Sequence, residues 1–362
     1  MQSGNGGRRD RPGLRIVIWL LLLAAGVAGW LLLRESDPAR AWRALLINFL
    51  YFTPLAIGLV TWSAIVIASN GRWAGQAERL TWIGSGFLVP SLLLLIALWI
   101  GSPGWAPWFG RKLPQGAWLD NTFLFVRDLA ALCILWAVAF WYRGRRRRGR
   151  NYALLPATLL VLAYCLVFTL LAFDLVMALD PHWHSAIFGA YFFISGLYGA
   201  VVAWTLLAVF QPDFSGDLRN DMGSLVITFS ILTTYMFFIQ LITIWYENMP
   251  AETVYVVPRM NYAGWRLISF ALIAVLYLGP LVVLLTAWAR RNRIFLGIVA
   301  AVLLGMLWVE RWWLVAPTFS PSVTAGWIEL ASALGVLGAF GLSMEWSGSR
   351  LSRMPVEEEG PR

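Results

Sequence analysis

Residues 171–199 read LAFDLVMALDPHWHSAIFGAYFFISGLYG, a polar knot between two apolar runs. Asp174 lies inside the first run, Pro181 ends it, and both histidines of the chain, His182 and His184, sit in the break. A hydrocarbon core of about 30 Å takes about 20 apolar residues of helix, so each flank is long enough to cross a bilayer and the knot marks the turn between two crossings. Outward from it the pattern repeats. Apolar runs at 14–33, 44–68, 80–100, 121–142, 153–178, 186–210, 222–246, 263–289, 294–315 and 324–344 predict ten transmembrane helices.

Composition agrees with that reading. The 362 residues are 59% hydrophobic and 13% charged, against roughly 25% charged in soluble domains. The runs are continuous, without the alternation of an outer-membrane barrel strand. Backbone in lipid must satisfy its own hydrogen bonds, so the predicted fold class is an all-α integral membrane protein, with one membrane domain at 14–345. Residues 1–13, rich in Gly and Arg, and 346–362, with Glu357 to Glu359, are expected to be solvated tails.

The net charge of +9 is a topology signal. Arg8, Arg9, Arg11, Arg72, Arg79, Arg143, Arg145 to Arg148, Arg150, Arg219, Arg290, Arg291, Arg293, Arg350, Arg353 and Arg362 fall on one side of the ten runs. Arg34, Arg40, Arg43, Arg111, Lys112 and Arg259 fall on the other. The positive-inside rule then puts both termini in the cytoplasm. No basic, aromatic-interleaved soluble domain is present to bind nucleic acid. Cys133 and Cys165 lie inside apolar runs and read as buried small hydrophobes. The absence of CxxC and CxxCH excludes iron–sulfur ligation and covalent c-type haem in this chain.

Ionisable side chains at membrane depth cost a few kcal/mol each on insertion scales and need a partner or a function. Arg127, Asp128, Asp174, Glu310, Arg311 and Glu329 are such groups, and the topology puts all six toward the outer side. Two readings stand side by side. Asp128, Asp174, Glu310 and Glu329 form a proton path, or Arg127 and Arg311 neutralise nearby carboxylates and tie helices together. His182 and His184, two residues apart in a short turn with no third histidine, give no closed metal set. Asp180 followed by Pro181 predicts a helix start, with Asp as N-cap. Gln240, Thr233, Thr234 and Tyr235 add hydrogen-bonding capacity for contacts between helices. A second polar knot, IWYENMPAETVYVVPR at 244–259, leaves the membrane on the same outer side as the first.

The two knots carry a resemblance. FDLVMALDPHWHSAIFGAYFFISG at 173–196 is similar to the LDPHW-(F/H)-S-x-IFG-x-YFF signature of a membrane subunit of bacterial alternative complex III, a quinol:cytochrome c oxidoreductase. The subunit it resembles is a relative of the polysulfide-reductase-type, NrfD-like membrane subunit of the same complex. Tyr235 to Arg259, with Gln240 and WYENMPAET, resembles the family's Q-x-x-x-IWYxNxPEET stretch; Glu247 and Ala251 stand where the family commonly has a small residue and an acid.

The resemblance implies two four-helix bundles, about 44–178 and 186–315, with one flanking helix at each end, 14–33 and 324–344. It implies a multi-pass subunit of the bacterial cytoplasmic membrane within a complex oxidising quinol; the missing haem and cluster ligands point to a chain without a cofactor of its own, and the outer-level charges leave a structural role and proton conduction side by side. Expected partners are the NrfD-like membrane subunit, periplasmic subunits carrying iron–sulfur clusters and haem c, and a terminal oxidase. Asp180, His182, His184, Glu247, Glu252 and Arg259 are the candidate docking residues. A secondary transporter using the same polar cluster, with helices broken near Pro54, Pro90, Pro156 or Pro280, is the competing reading. Direct quinone binding at Asp174 and His182 is a third.

Overall fold

A computed structural model of the protein describes residues 12–71, 73–211 and 214–351. The expected tails fall largely outside these residues, and the helices reach further than expected at both ends, from Pro12 and to Leu351. Ten helices are long and apolar enough to span a membrane: α1 (Gly13–Leu33), α2 (Pro38–Ala68), α3 (Glu78–Ile100), α4 (Asn121–Arg146), α5 (Arg150–Leu179), α6 (Phe188–Val209), α7 (Gly216–Glu247), α9 (Ala263–Val283), α10 (Arg293–Thr318) and α11 (Trp327–Ser349). Between α7 and α9 lies a shorter helix, α8 (Pro250–Asn261). No strand occurs among the described residues. The protein is an all-α, multi-pass membrane protein, and ten crossings place both ends of the described chain on one face, called here the terminal face.

Local sequence sets the helix starts. Asp37 accepts from the Arg40 amide ahead of Pro38, Asp120 accepts from the Phe123 amide, and Ser215 accepts from the Leu218 amide. Each satisfies an amide that the first helical turn leaves without a partner. α7 ends at Asn248, whose φ of 47° lies in the left-handed region, and Pro250 then opens α8.

The spans pack as two rings of four. α2, α3, α4 and α5 each touch the next around one ring; α6, α7, α9 and α10 do the same around the other. α2, α5, α6 and α10 form the seam, so the most buried spans are α2 and α6, with 94% and 83% of their apolar windows covered. α1 and α11 lie outside the rings, against each other, and α11 also packs on α2 and α3. Their contact needs glycine. A Cβ at Gly26 would stand 2.1 Å from the Gly335 nitrogen, and one at Gly338 would stand 2.4 Å from the Leu23 nitrogen. Backbones approach this closely in lipid because dispersion, rather than water exclusion, holds the helices together. Large apolar side chains such as Leu32, Ile100, Leu166 and Val282 point outward on the lipid-facing perimeter.

Cys133 is exposed and Cys165 partly so, which corrects the expectation that both are buried. In a membrane bundle an apolar environment is also found on the outside, so hydrophobic context does not mean interior.

Candidate functional site

Toward the face opposite the chain ends, each ring encloses ionisable side chains. In the first ring, Arg127 and Asp128 lie near the start of α4 and Asp174 near the end of α5. Arg127 donates to Asp174 Oδ2 through Nη2 at 2.5 Å and through Nε at 3.1 Å. Trp118, from the loop before α4, donates its indole N–H to Asp174 Oδ1 at 3.0 Å, and its ring lies under the Arg127 guanidinium at 3.7 Å. Asp174 is fully buried, with both carboxylate oxygens engaged.

Asp128 is also fully buried, and no donor reaches either of its oxygens among the described residues. The Asp174 carboxyl and the Arg127 guanidinium are the charged groups that act on it. One guanidinium therefore faces two buried acids, and bonds only Asp174.

In the second ring, Glu310 on α10 is fully buried. Its Oε1 accepts a close hydrogen bond from the Tyr191 hydroxyl of α6 and faces the Tyr277 hydroxyl of α9 at 3.4 Å; the two hydroxyls are 2.9 Å apart. Tyr277 sits in a π-helical stretch, Leu272–Leu278. Such insertions are frequent at functional sites, and this one shares the helix turn that offers Tyr277 to Glu310. Oε2 of Glu310 has no hydrogen-bond partner among the described residues.

Arg311 does not neutralise a carboxylate as expected. It turns to the seam, donating to Ser195 Oγ at 2.7 Å and lying over the Phe192 ring at 4.1 Å, because successive residues of a helix point in different directions. Glu329 is not part of a common cluster either. It sits in the first turn of α11, bonded by Arg40 at 2.6 Å and 2.8 Å and by the Gly326 amide at 2.9 Å. The four carboxylates therefore divide into an acid pair, a tyrosine-bound acid and an interfacial ion pair.

The two motif stretches meet at this face. Trp183 stacks on Tyr255 with centroids 3.8 Å apart and planes within 10°, and Tyr255 packs edge-on against Phe188 and Trp313. Arg259, expected at a docking surface, is instead buried at 1% exposure. It donates to the carbonyls of Tyr255 at 2.5 Å and Leu314 at 2.8 Å and lies 3.5 Å from the Tyr255 ring centroid. Burial lowers its pKa, opposed by Tyr255, Tyr191 and Asp180, and burial raises that of Tyr255. No carboxylate pairs with Arg259 among the described residues. A narrow cleft of about 10 Å³, lined by Tyr191, Gln240, Tyr255, Arg259 and Trp313 among others, has room for one water molecule.

The histidines take no part. His182 and His184 are exposed, and nothing brings His182 to Asp174, whose oxygens Arg127 and Trp118 occupy. The expected helix start at Asp180 is not formed. Asp180 Oδ1 accepts from the His182 amide at 3.2 Å, closing a local turn, and α6 begins only at Phe188. Gln115 fixes that turn from the neighbouring loop by donating to the Pro181 carbonyl at 2.6 Å. Glu247 is exposed and Glu252 half-buried. Thr233 and Thr234 bond back to carbonyls of their own helix, and Tyr235 points outward at 55% exposure, so these three do not join helices as expected. α2 and α5 run unbroken through Pro54 and Pro156. No cluster of three or more His, Cys, Asp or Glu side chains that could hold a metal occurs among the described residues.

Tyr191, Tyr277, Trp118 and Arg40 were not singled out from sequence. A tyrosine in a deeply buried span needs a hydroxyl partner, which is the signal Tyr191 offered. Trp118 and Tyr277 offered none, since a loop tryptophan and a π-helical register are visible only in three dimensions. Comparison of the chain with protein families and with curated proteins found no match.

Proposed function

We propose that this chain is a membrane subunit, itself without a redox group, of a bacterial quinol:cytochrome c oxidoreductase of the alternative complex III type. In this reading it scaffolds the redox subunits and passes protons through acids in the half of the bilayer away from its termini. The observation that carries the reading is that each four-helix ring buries carboxyl groups, costly in lipid, with oxygens left without a hydrogen-bond partner among the described residues. One set is the Asp128–Asp174 pair beside Arg127; the other is Glu310 with Tyr191 and Tyr277. A purely structural role would be met by neutral helix contacts, which are cheaper in lipid than buried acids.

The packing of Trp183 on Tyr255 supports the same reading, because it makes one module of the two stretches that resemble the family. The partners are an NrfD-like membrane subunit and extramembrane subunits holding iron–sulfur clusters and haem c, seated on the face that carries His182, His184 and Glu247. Affinity purification from native membranes, followed by haem staining and mass spectrometry, tests it. Co-purifying haem and iron–sulfur subunits are expected; a chain that always emerges alone overturns the proposal. Substrate uptake by proteoliposomes containing this chain alone would establish the transporter reading in its place.

A further inference from the structure

The basic turn that joins α4 to α5 carries more than a topology signal. Of its arginines, Arg146 grips Glu78 through two bonds at 3.0 Å and 3.1 Å, Arg143 donates to Ser85 at 2.6 Å, and Arg150 donates to the Gly71 carbonyl at 2.9 Å. Arg145 and Arg148 have no acidic partner among the described residues. They line a groove of about 290 Å³ together with Trp141 and Gly144. Trp141, Gly144 and Arg145 fall at i, i+3 and i+4 on the last turns of α4, one stripe of the helix, and Arg148 follows in the turn after it. At Gly144 nothing lies within 4 Å of where a Cβ would stand, so the groove is open at its floor. A glycine inside a helix is less favourable than alanine by about 1 kcal/mol, and here packing does not require it.

We propose that this stripe binds the phosphate headgroup of an anionic phospholipid. The two guanidiniums supply the charge and the planar donors that suit a phosphate, Gly144 leaves room for it, and Trp141, 39% exposed, holds the interfacial level. On the adjoining ends of α4 and α5, Phe140, Tyr152 and Leu155 are exposed at 42%, 62% and 64%, apolar surface available to acyl chains. Basic pockets at the ends of membrane helices recognise lipid headgroups by this combination of charge and position. The assignment does not depend on the proton-carrying reading above.

Native mass spectrometry of the full chain in mild detergent tests it, with phosphatidylglycerol and phosphatidylcholine as competing probes. The wild type is expected to retain phosphatidylglycerol preferentially. R145Q/R148Q is expected to lose about five-fold in retention for each guanidinium removed, and Gly144→Leu to lose retention with every charge in place. Arg147→Gln, which removes the same charge outside the groove, is expected to stay within about two-fold of wild type. Unchanged melting temperatures identify the variants as folded. Equal retention of the two lipids overturns the proposal, as does an R147Q loss equal to that of a groove arginine. Displacement of phosphatidylglycerol by equimolar inorganic phosphate would reassign the groove to soluble anions and overturn it as well.

Discussion

Removing Arg127 should destabilise this protein more than removing its partner. In Arg127→Met the Asp174 carboxylate, fully buried, keeps only the Trp118 indole bond, and Asp128 beside it has no donor at all. Stranding one member of a buried ion pair costs about 3–5 kcal/mol, whereas a single hydrogen bond between membrane helices averages about 0.6 kcal/mol. The ion pair therefore decides the outcome. In Asp174→Asn the stranded group is Arg127, whose side chain is 15% exposed and already stacked on Trp118. A long cation that reaches the interface loses less, about 1–3 kcal/mol. The double variant strands neither charge and should be less destabilised than Arg127→Met alone, giving a coupling energy of about 2 kcal/mol or more. Reversible unfolding in mixed detergent micelles measures all four corners of the cycle. Additivity within about 0.5 kcal/mol would refute the claim that these two residues form one energetic unit.

Asp128→Asn removes no donor's partner, so its stability should stay within about 1 kcal/mol of wild type, while quinol-driven proton release in reconstituted vesicles should fall; unchanged release would remove Asp128 from the path. Glu310→Gln can still accept from Tyr191 and should fold, with proton release slowed by about ten-fold or more. Tyr191→Phe should show a smaller loss, because Tyr277 still faces the carboxyl, and a loss larger than that of Glu310→Gln would argue for tyrosine as the working group. Gly26→Leu should separate α1 from α11 at a cost of about 1–3 kcal/mol, read as lost cross-linking between cysteines placed on the two helices. Glu329→Gln, which leaves the partly exposed Arg40 without its buried carboxylate, should cost about 1–3 kcal/mol of stability in the same unfolding assay.

Much of the fold was legible in the chain, because lipid imposes a length and a hydropathy that soluble cores do not. All ten spans stand where the apolar runs placed them. Their ends moved by a few residues, since capping groups such as Asp37 and Ser215 lie outside the apolar run itself. The presence of costly ionisable residues at 127, 128, 174, 310, 311 and 329 was equally visible.

Which of those residues act together was decided only in three dimensions. Arg127 and Arg311 look alike in sequence, each beside an acid, yet one binds Asp174 and the other turns to Ser195. Glu329 shares a level with Glu310 on paper and pairs with Arg40 in space. Arg259, in an outer loop by its hydropathy, is buried against Tyr255 and Leu314. The physical reason is the same in each case. A one-dimensional hydropathy pattern reports how deep a residue sits, but the direction of a side chain around its helix, and the neighbour it meets, depend on how ten helices are rotated against one another. Composition therefore determined an α-helical membrane protein, and packing determined its acid pair, its tyrosine-bound glutamate and the open groove at Gly144.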